Sequence, residues 1–168
     1  MPYFTDKFAN PSSNHGLGWI NKEVINNSKN MISKIMGVKS DEIIFTSGST
    51  EGINMIIKSL FFQNKNEKNH IITTKAEHKA VLDTCDWLEK CGANVTYLNT
   101  DKKGRINLNE LKKQISKSTF LVSIILANNE TGYIQPIEKI KSICSEKNVP
   151  LFSDATQAIG KIKLKKYI

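Results

Sequence analysis

Residues 120–126 read FLVSIIL, a run of seven in which only Ser123 is polar. A short apolar run with β-branched residues and polar flanks predicts a strand that is buried on both faces. The residues that follow, 127–135, predict a loop, and Pro136 then stands at the start of a predicted helix over residues 137–147. A buried strand that leads through a loop into a helix is the repeating unit of a parallel sheet.

The same alternation continues on both sides of this run. It predicts further strands over residues 42–46, 70–74, 94–98 and 150–154. It predicts helices over residues 20–36, 51–62 and 78–91, and a short one that contains Leu108, Leu111 and Ile115. Gly37 is placed to end the first helix. The pattern favours a three-layer α/β/α fold with a mainly parallel sheet, and we expect residues 1–168 to form a single domain.

Composition narrows the class of protein. The 24 basic and 16 acidic residues give a net charge of +8, but Arg105 is the only arginine. The chain therefore offers a single guanidinium group for the recognition of phosphates and bases. A basic nucleic-acid binder, whose affinity would fall steeply with salt, is the disfavoured alternative. No apolar run approaches the roughly 20 residues of a membrane span, and no signal peptide is recognisable. We therefore expect a cytoplasmic protein without a nucleic-acid or membrane partner.

The three cysteines form no metal-binding pattern. Cys85 and Cys91 lie about 240° apart around the predicted helix, so they do not share a face. An odd number of cysteines without a CxxC pair predicts reduced thiols. We expect no metal site.

Polar residues cluster where the predicted strands end. The set is Ser49, Thr50, His78, Asn129, Asp154 and Gln157. Ligands of parallel α/β sheets bind in the crevice outside the carboxyl ends of the strands. We therefore expect these six side chains to line one concavity.

Three of these residues suggest how an anion or a ring is held. Ser49 and Thr50 stand where a strand turns into a helix, where free N–H groups and the helix dipole favour a phosphate. A plain helix N-cap explains the same residues equally well. Asp154 at a strand end can keep the ring nitrogen of a pyridoxal cofactor protonated, or it can simply cap the following turn.

The other three positions have an ordinary reading as well as a functional one. His78 can stack on an aromatic ring or move protons near neutral pH, or it can be the first residue of a helix without further role. Asn129 and Gln157 can donate to a phenolate oxygen, although amides in loops often satisfy backbone groups instead.

The six residues lie within a series of six motifs along the chain, although two of the motifs contain none of them. The motifs are NPSS (10–13), FTSGSTE (45–51), TKAEHKAVL (74–82), VSI (122–124), NNETG (128–132) and DATQ (154–157). In this order and spacing they resemble class V aminotransferase-fold proteins, most of all the cysteine desulfurases that supply iron–sulfur cluster assembly. The resemblance covers essentially the whole chain. It implies the large cofactor-binding domain of a fold that uses pyridoxal 5′-phosphate (PLP).

The resemblance also implies roles for the six residues. The two hydroxyl residues would bind the phosphate of PLP, and the aspartate would pair with the pyridinium nitrogen. The histidine, His78, would be the catalytic residue that stacks on the ring and handles protons. The two amides would hydrogen-bond around the phenolic oxygen. The implied reaction takes sulfur from L-cysteine, leaves L-alanine, and passes the sulfur to an acceptor such as a scaffold protein.

The chain departs from the family in its extent. Family members are more than twice as long, and three of their parts have no counterpart here: an amino-terminal segment, the Schiff-base lysine segment and the small carboxy-terminal domain. The four lysines between residues 161 and 166 follow Gln157 too closely to replace that lysine. We therefore expect the separate chain to lack desulfurase activity. The alternative is a non-catalytic remnant or interaction module that dimerises with a full-length homologue or a complementing half.

Overall fold

The computed structural model describes residues 2–163, which divide into two compact units, residues 2–45 and residues 46–163. The first unit contains helix α1 (Gly16–Met36) and the short 3-10 turns Pro2–Phe4 and Ser40–Glu42. The second contains strands β1 (His70–Thr74), β2 (Asn94–Leu98), β3 (Thr119–Ser123) and β4 (Leu151–Phe152). Its helices are α2 (Ser49–Asn64), α3 (Lys79–Lys90), α4 (Leu108–Gln114) and α5 (Ile137–Glu146).

The four strands form one parallel sheet in the order β2-β1-β3-β4. From β1 the chain crosses to β2 in one direction, and from β3 it crosses to β4 in the other. Because such crossovers are right-handed, the two connecting helices α3 and α5 cover opposite faces of the sheet. The predicted α/β fold with a parallel sheet is confirmed.

One hydrophobic core layer of the second unit lies between the sheet and the helix pair α2 and α3. Helix α2 contributes Ile53, Ile57 and Phe61, which recur every four residues and share one face. The other buried members are Ile71, Ala80, Val81, Cys85, Leu88, Phe120 and Leu121. The rings of Phe61 and Phe120 lie 5.8 Å apart between centroids, so α2 packs directly on the strand that was predicted to be buried on both faces.

The backbone ladder between β3 and β4 continues beyond the bounds of both strands. Val122 N–H donates to the carbonyl of Pro150 at 3.0 Å, and Ile124 N–H donates to that of Phe152 at 3.0 Å. A third bond runs from Leu126 N–H to the carbonyl of Asp154 at 2.9 Å. The longer strands predicted over residues 120–126 and 150–154 therefore correspond to this ladder, although the regular strands are shorter.

The prediction of a strand over residues 42–46 is wrong. Glu42 ends a 3-10 turn, in which its carboxylate accepts a bond from Lys39 N–H at 2.7 Å, and Ile43 N–H donates to the carbonyl of Ser40 at 3.3 Å. A strand needs a neighbour for its backbone groups. Within residues 2–163 no strand pairs with this segment, so local bonds take the place of a ladder.

Helix α1 begins at a turn that is held from the helix side. The buried amide of Asn21 donates to the carbonyls of Lys7 and Ala9 at 2.8 and 2.9 Å. His15 caps the helix by accepting from Gly18 N–H at 3.4 Å. At the other end Gly37 adopts φ +75°, a left-handed conformation that glycine tolerates, and ends the helix as predicted. Within residues 2–163, no helix is both long and apolar enough to cross a membrane.

We expect Gly18→Ala to destabilise the first unit by about 1–3 kcal/mol, the usual cost of overpacking. A Cβ at Gly18 would lie 2.6 Å from the carbonyl oxygen of Ser13 and 2.8 Å from that of Asn10, both of them backbone atoms. Gly16→Ala is the matched control, because a Cβ there meets no atom within 4 Å. Amide hydrogen exchange of α1 measures the effect, and equal protection in the two variants would contradict the prediction.

The buried histidine of β1 predicts a loss of stability in acid. The ring nitrogens of His70 lie 2.8 Å from Thr119 Oγ1 and 2.9 Å from Thr96 Oγ1, and burial lowers the pKa of His70. Below about pH 6.5, the ordinary value, the unfolded chain therefore binds a proton that the folded chain resists. Stability should be complete above that pH and fall as the pH is lowered. Urea unfolding at pH 7.5 and 5.5 should give a smaller difference for His70→Gln than for the unaltered chain.

Candidate functional site

One small cavity of the second unit collects five of the six residues that the sequence indicates. It is lined by Ser49, His78, Ile125, Asn129, Asp154, Thr156 and Gln157. The cavity lies where the chain leaves β1 and β3 in opposite directions, which is the ligand-binding position of open α/β sheets. Its volume of about 70 Å³ is far below the roughly 300–1,000 Å³ of ligand pockets, so these residues form one wall of a site.

A wider depression of about 520 Å³ adjoins this cavity and shares His78 and Asn129 with it. It runs between the β1–α3 loop and the loop that follows β3. The sixth predicted residue, Thr50, does not line the small cavity. Successive helical residues point about 100° apart, so Ser49 and Thr50 cannot both face it in the same way.

At the amino-terminal end of α2, neither Ser49 nor Thr50 is the N-cap residue. The N-cap position belongs to Gly48, which makes no side-chain capping bond, so the plain N-cap alternative for Ser49 and Thr50 is wrong. Ser47 uses its N–H and its hydroxyl to bind the Glu51 carboxylate, each at 2.6 Å. These two bonds lower the pKa of Glu51. The hydroxyl of Ser49 is therefore available at the cavity.

His78 is both the cap of a helix and a wall of the cavity. Its Nδ1 accepts a hydrogen bond from Ala80 N–H at 3.2 Å at the start of α3. The neutral ring therefore carries its proton on Nε2. His78 is thus the N-cap of α3, and its Nε2 makes no hydrogen bond to the described residues, so the functional role stays a prediction.

Asp154 has one carboxylate oxygen engaged and one available. Its Oδ1 accepts from the N–H and the hydroxyl of Thr156, at 2.9 and 2.6 Å. Its Oδ2 makes no hydrogen bond to any residue between 2 and 163. The side chain is buried, and a buried carboxylate is favourable only when donors satisfy it. Such an oxygen is suited to a cationic N–H donor from a ligand.

Gln157 is oriented by a lysine. Lys161 Nζ donates to Gln157 Oε1 at 2.6 Å, which leaves the amide nitrogen of Gln157 free to donate at the cavity. Of the lysines set aside in the sequence, Lys165 and Lys166 lie outside the described residues.

The side chain of Asn128 holds the loop after β3 in place, and the next residue, Asn129, lies at the cavity. The Asn128 amide nitrogen donates to the carbonyl of Ala76 at 2.7 Å. Its oxygen accepts from Glu130 N–H at 3.0 Å and from Thr131 N–H at 2.8 Å. Asn129 is exposed at the cavity and makes no such bonds within the described part of the chain. The loop is therefore tied to the segment that carries His78.

Glu77 is a buried carboxyl immediately before His78. Its Oε1 accepts from Ile125 N–H at 2.8 Å and from the Thr74 hydroxyl at 3.1 Å. Burial raises the pKa of Glu77 to about 8; the two hydrogen bonds oppose this shift and the charge of Asp154 adds to it.

Two of the three cysteines are unsuited to nucleophilic chemistry. Cys85 and Cys144 are buried, and burial raises the pKa of their thiols to about 12 and about 11. Cys91 is exposed, so the two cysteines of α3 and its C-cap do not share a face. Within residues 2–163, no group of three or more His, Cys, Asp or Glu side chains is placed to hold a metal ion.

Sequence reasoning missed two residues that line the small cavity, Ile125 and Thr156, and also Glu77 in the adjoining depression. A threonine two residues after an aspartate is a recognisable turn pattern, so Thr156 had a local signal. Glu77 stands beside His78 in the TKAEHKAVL motif, but its burial depends on a distant strand. Ile125 donates its backbone N–H to Glu77 at 2.8 Å, and a backbone donor cannot be recognised from residue type.

Comparison with known proteins gives consistent matches over the chain. The family model for class V aminotransferases matches residues 1–166. The cysteine desulfurase IscS of Buchnera aphidicola is 50% identical over 158 residues, which is 94% of this chain and 39% of that protein. The chain thus spans about two-fifths of the length of the curated relatives that it matches.

Two solved structures share the fold closely. A NifS-like protein superposes with a TM-score of 0.94 at 41% identity, covering 99% of this chain and 47% of that one. A structure described as SspA in complex with cysteine superposes with a TM-score of 0.94 at 38% identity, covering 99% and 48%.

Proposed function

Because this chain belongs to the class V aminotransferase family, we propose that it forms part of the PLP-binding domain of a cysteine desulfurase. The observation that carries the proposal is the carboxylate of Asp154, whose Oδ1 is hydrogen-bonded and whose Oδ2 is available. This carboxylate shares one cavity with His78. The desulfurase relatives support the choice of activity within the family.

The polar groups of the cavity fit the parts of PLP. The free Oδ2 of Asp154 would accept from the pyridinium N–H, and the free amide nitrogen of Gln157 would donate to the phenolic oxygen together with Asn129. The hydroxyl of Ser49, together with the backbone N–H groups of Ser49 and Thr50 at the amino-terminal end of the 16-residue α2, would hold the phosphate. When bound, PLP supplies the electron sink for breaking a bond of the substrate.

Residues of the chain itself would orient the groups of the site and supply a proton. Thr156 holds Asp154 through Oδ1, so that Oδ2 would be left to pair with the ring nitrogen of PLP. His78, fixed through Nδ1 by Ala80 N–H, can hold or deliver a proton at Nε2. The connection from Asn128 to the carbonyl of Ala76 keeps the two loops of the wall together.

L-cysteine is the proposed substrate. The cysteine named for the SspA structure, whose chain resembles this one, supports that choice. The products would be L-alanine and a sulfur atom passed on for iron–sulfur cluster assembly, through a scaffold protein that accepts it. A homodimer or a complementing half would complete the site. A cytoplasmic location stays a prediction from the sequence.

The proposal is tested by titrating the chain with PLP and with pyridoxal, which lacks the phosphate, and following absorbance. PLP should bind at least about tenfold more tightly, because charge-assisted bonds to a phosphate each contribute about 1.5–3 kcal/mol. Ser49→Ala should weaken PLP binding and leave pyridoxal binding unchanged. Equal affinities for both compounds, or no binding of either, would contradict the proposal.

A second candidate function, an interaction module that pairs with a full-length homologue or a complementing half, is favoured by α1. Its side chains Leu17, Trp19, Met31 and Ile35 are 59%, 61%, 67% and 77% exposed, which is unusual for large apolar residues on one helix. Met31 and Ile35 lie one turn apart. Light scattering should show self-association of the chain and its loss in a Met31→Ser, Ile35→Ser variant, and an unchanged mass would count against this candidate.

A further inference from the structure

Glu77 lies at the junction of the elements that form the cavity. It precedes His78 in the β1–α3 loop, and only 7% of its surface is exposed. A carboxyl group is rarely buried to this degree without a partner of opposite charge. None of its hydrogen-bond partners is a cation.

Glu77 bonds directly to the ends of two strands, and a neighbouring amide links them to the end of a third. Through Oε1 it holds Ile125 N–H after β3 and the hydroxyl of Thr74 at the end of β1. The next amide, that of Leu126, donates to the carbonyl of Asp154 after β4. The loop that carries His78 is thus linked through two successive amides to the segment that carries Asp154.

The second oxygen of Glu77 shows which charge state this arrangement suits. Oε2 is buried and has no hydrogen-bond partner among residues 2–163. An ionised carboxylate would leave that oxygen charged and unsolvated, which is the costlier state in an apolar environment. Burial accordingly raises the pKa of Glu77 to about 8. The ionisable groups that face it are Asp154, whose charge disfavours a second negative charge, and the buried Cys85, whose thiol has a pKa raised to about 12 and supplies no positive charge to stabilise a carboxylate.

We propose that Glu77 is a positioning residue, which in its uncharged form holds the His78 loop against the end of β3 and leaves the negative charge of the cavity on Asp154. One carboxylate then faces one pyridinium nitrogen, whereas two would compete for its charge. The inference rests on the proposed function for the identity of the ligand, but the position and protonation of Glu77 are properties of the ligand-free chain.

The ligand-free test is a pH titration of the 168-residue chain by ¹H–¹⁵N NMR. The Ile125 amide, which donates to Glu77, should shift with a midpoint within about one unit of pH 8. Glu77→Gln should abolish that titration and leave the Ala80 and His78 resonances in place. Glu67→Gln, at an exposed glutamate of the same unit, should leave the titration unchanged. A midpoint in the ordinary range near pH 4.5 would overturn the proposal.

The ligand-bound test compares PLP affinity at pH 7. Glu77→Gln should bind PLP within about threefold of the unaltered chain, because it keeps a neutral acceptor at Oε1. Glu77→Ala should bind at least about tenfold more weakly and shift the His78 resonances. A loss in Glu77→Gln as large as in Glu77→Ala would overturn the proposal, since the charged form would then be required. If the unaltered chain binds no PLP, the proposed function fails, while the Ile125 titration still decides the role of Glu77.

Discussion

Asp154→Ala is expected to bind PLP about 10- to 150-fold more weakly than the unaltered chain, which corresponds to the roughly 1.5–3 kcal/mol of a hydrogen bond to a charged group. Asp154 Oδ2 is free to accept from the pyridinium N–H, while Thr156 holds Oδ1. Removing the carboxylate would remove that acceptor and the charge that is proposed to keep the ring nitrogen protonated. Absorbance or fluorescence titration with PLP measures the change.

Two further variants separate charge from local structure. Asp154→Asn keeps an oxygen that can accept from Thr156 but has no charge, so it should lose most of the same affinity. Asp83→Ala, at an exposed aspartate of α3, should have little effect. Undiminished affinity in Asp154→Asn would mean that the carboxylate does not pair with a cationic nitrogen, and the assignment of Asp154 would then be wrong.

The largest expected effect on stability is that of Phe61→Ala, which should lower the free energy of unfolding by about 3–5 kcal/mol. The Phe61 side chain is 1% exposed and packs against Phe120 of β3. Its removal would leave a cavity between α2 and the central part of the sheet, where close packing limits relaxation. Urea unfolding monitored by circular dichroism measures the loss.

Phe62→Ala is the matched control on the same helix. Phe62 is 47% exposed and contacts Phe61 and Trp87 edge to face, with ring centroids 5.3 and 6.0 Å apart. Aromatic pairs of this kind contribute about 0.5–1.5 kcal/mol, so the loss should be near 1 kcal/mol. Equal losses for the two phenylalanines would show that the core does not lie where the structure has it.

The sequence alone determined the type and place of most elements, because their signals are local. The strands predicted over residues 70–74 and 94–98 have those same bounds in the structure. The helix ending at Gly37 follows from the conformational freedom of one glycine. Five of the six residues predicted to share a concavity do so, since strand ends of a parallel sheet meet at one edge.

Other features were decided only by the tertiary structure, because they depend on contacts between residues that are distant in the sequence. Residues 42–46 have a strand-like composition, but a strand forms only beside a partner, and Glu42 is used instead to cap a turn. Of Ser49 and Thr50, only Ser49 lines the cavity, because the helix turns the two side chains apart. The burial of Glu77 depends on Ile125 N–H, 48 residues away, and no pattern around residue 77 records that bond. Its raised pKa is therefore a property of the folded chain, since only folding removes water from that carboxyl.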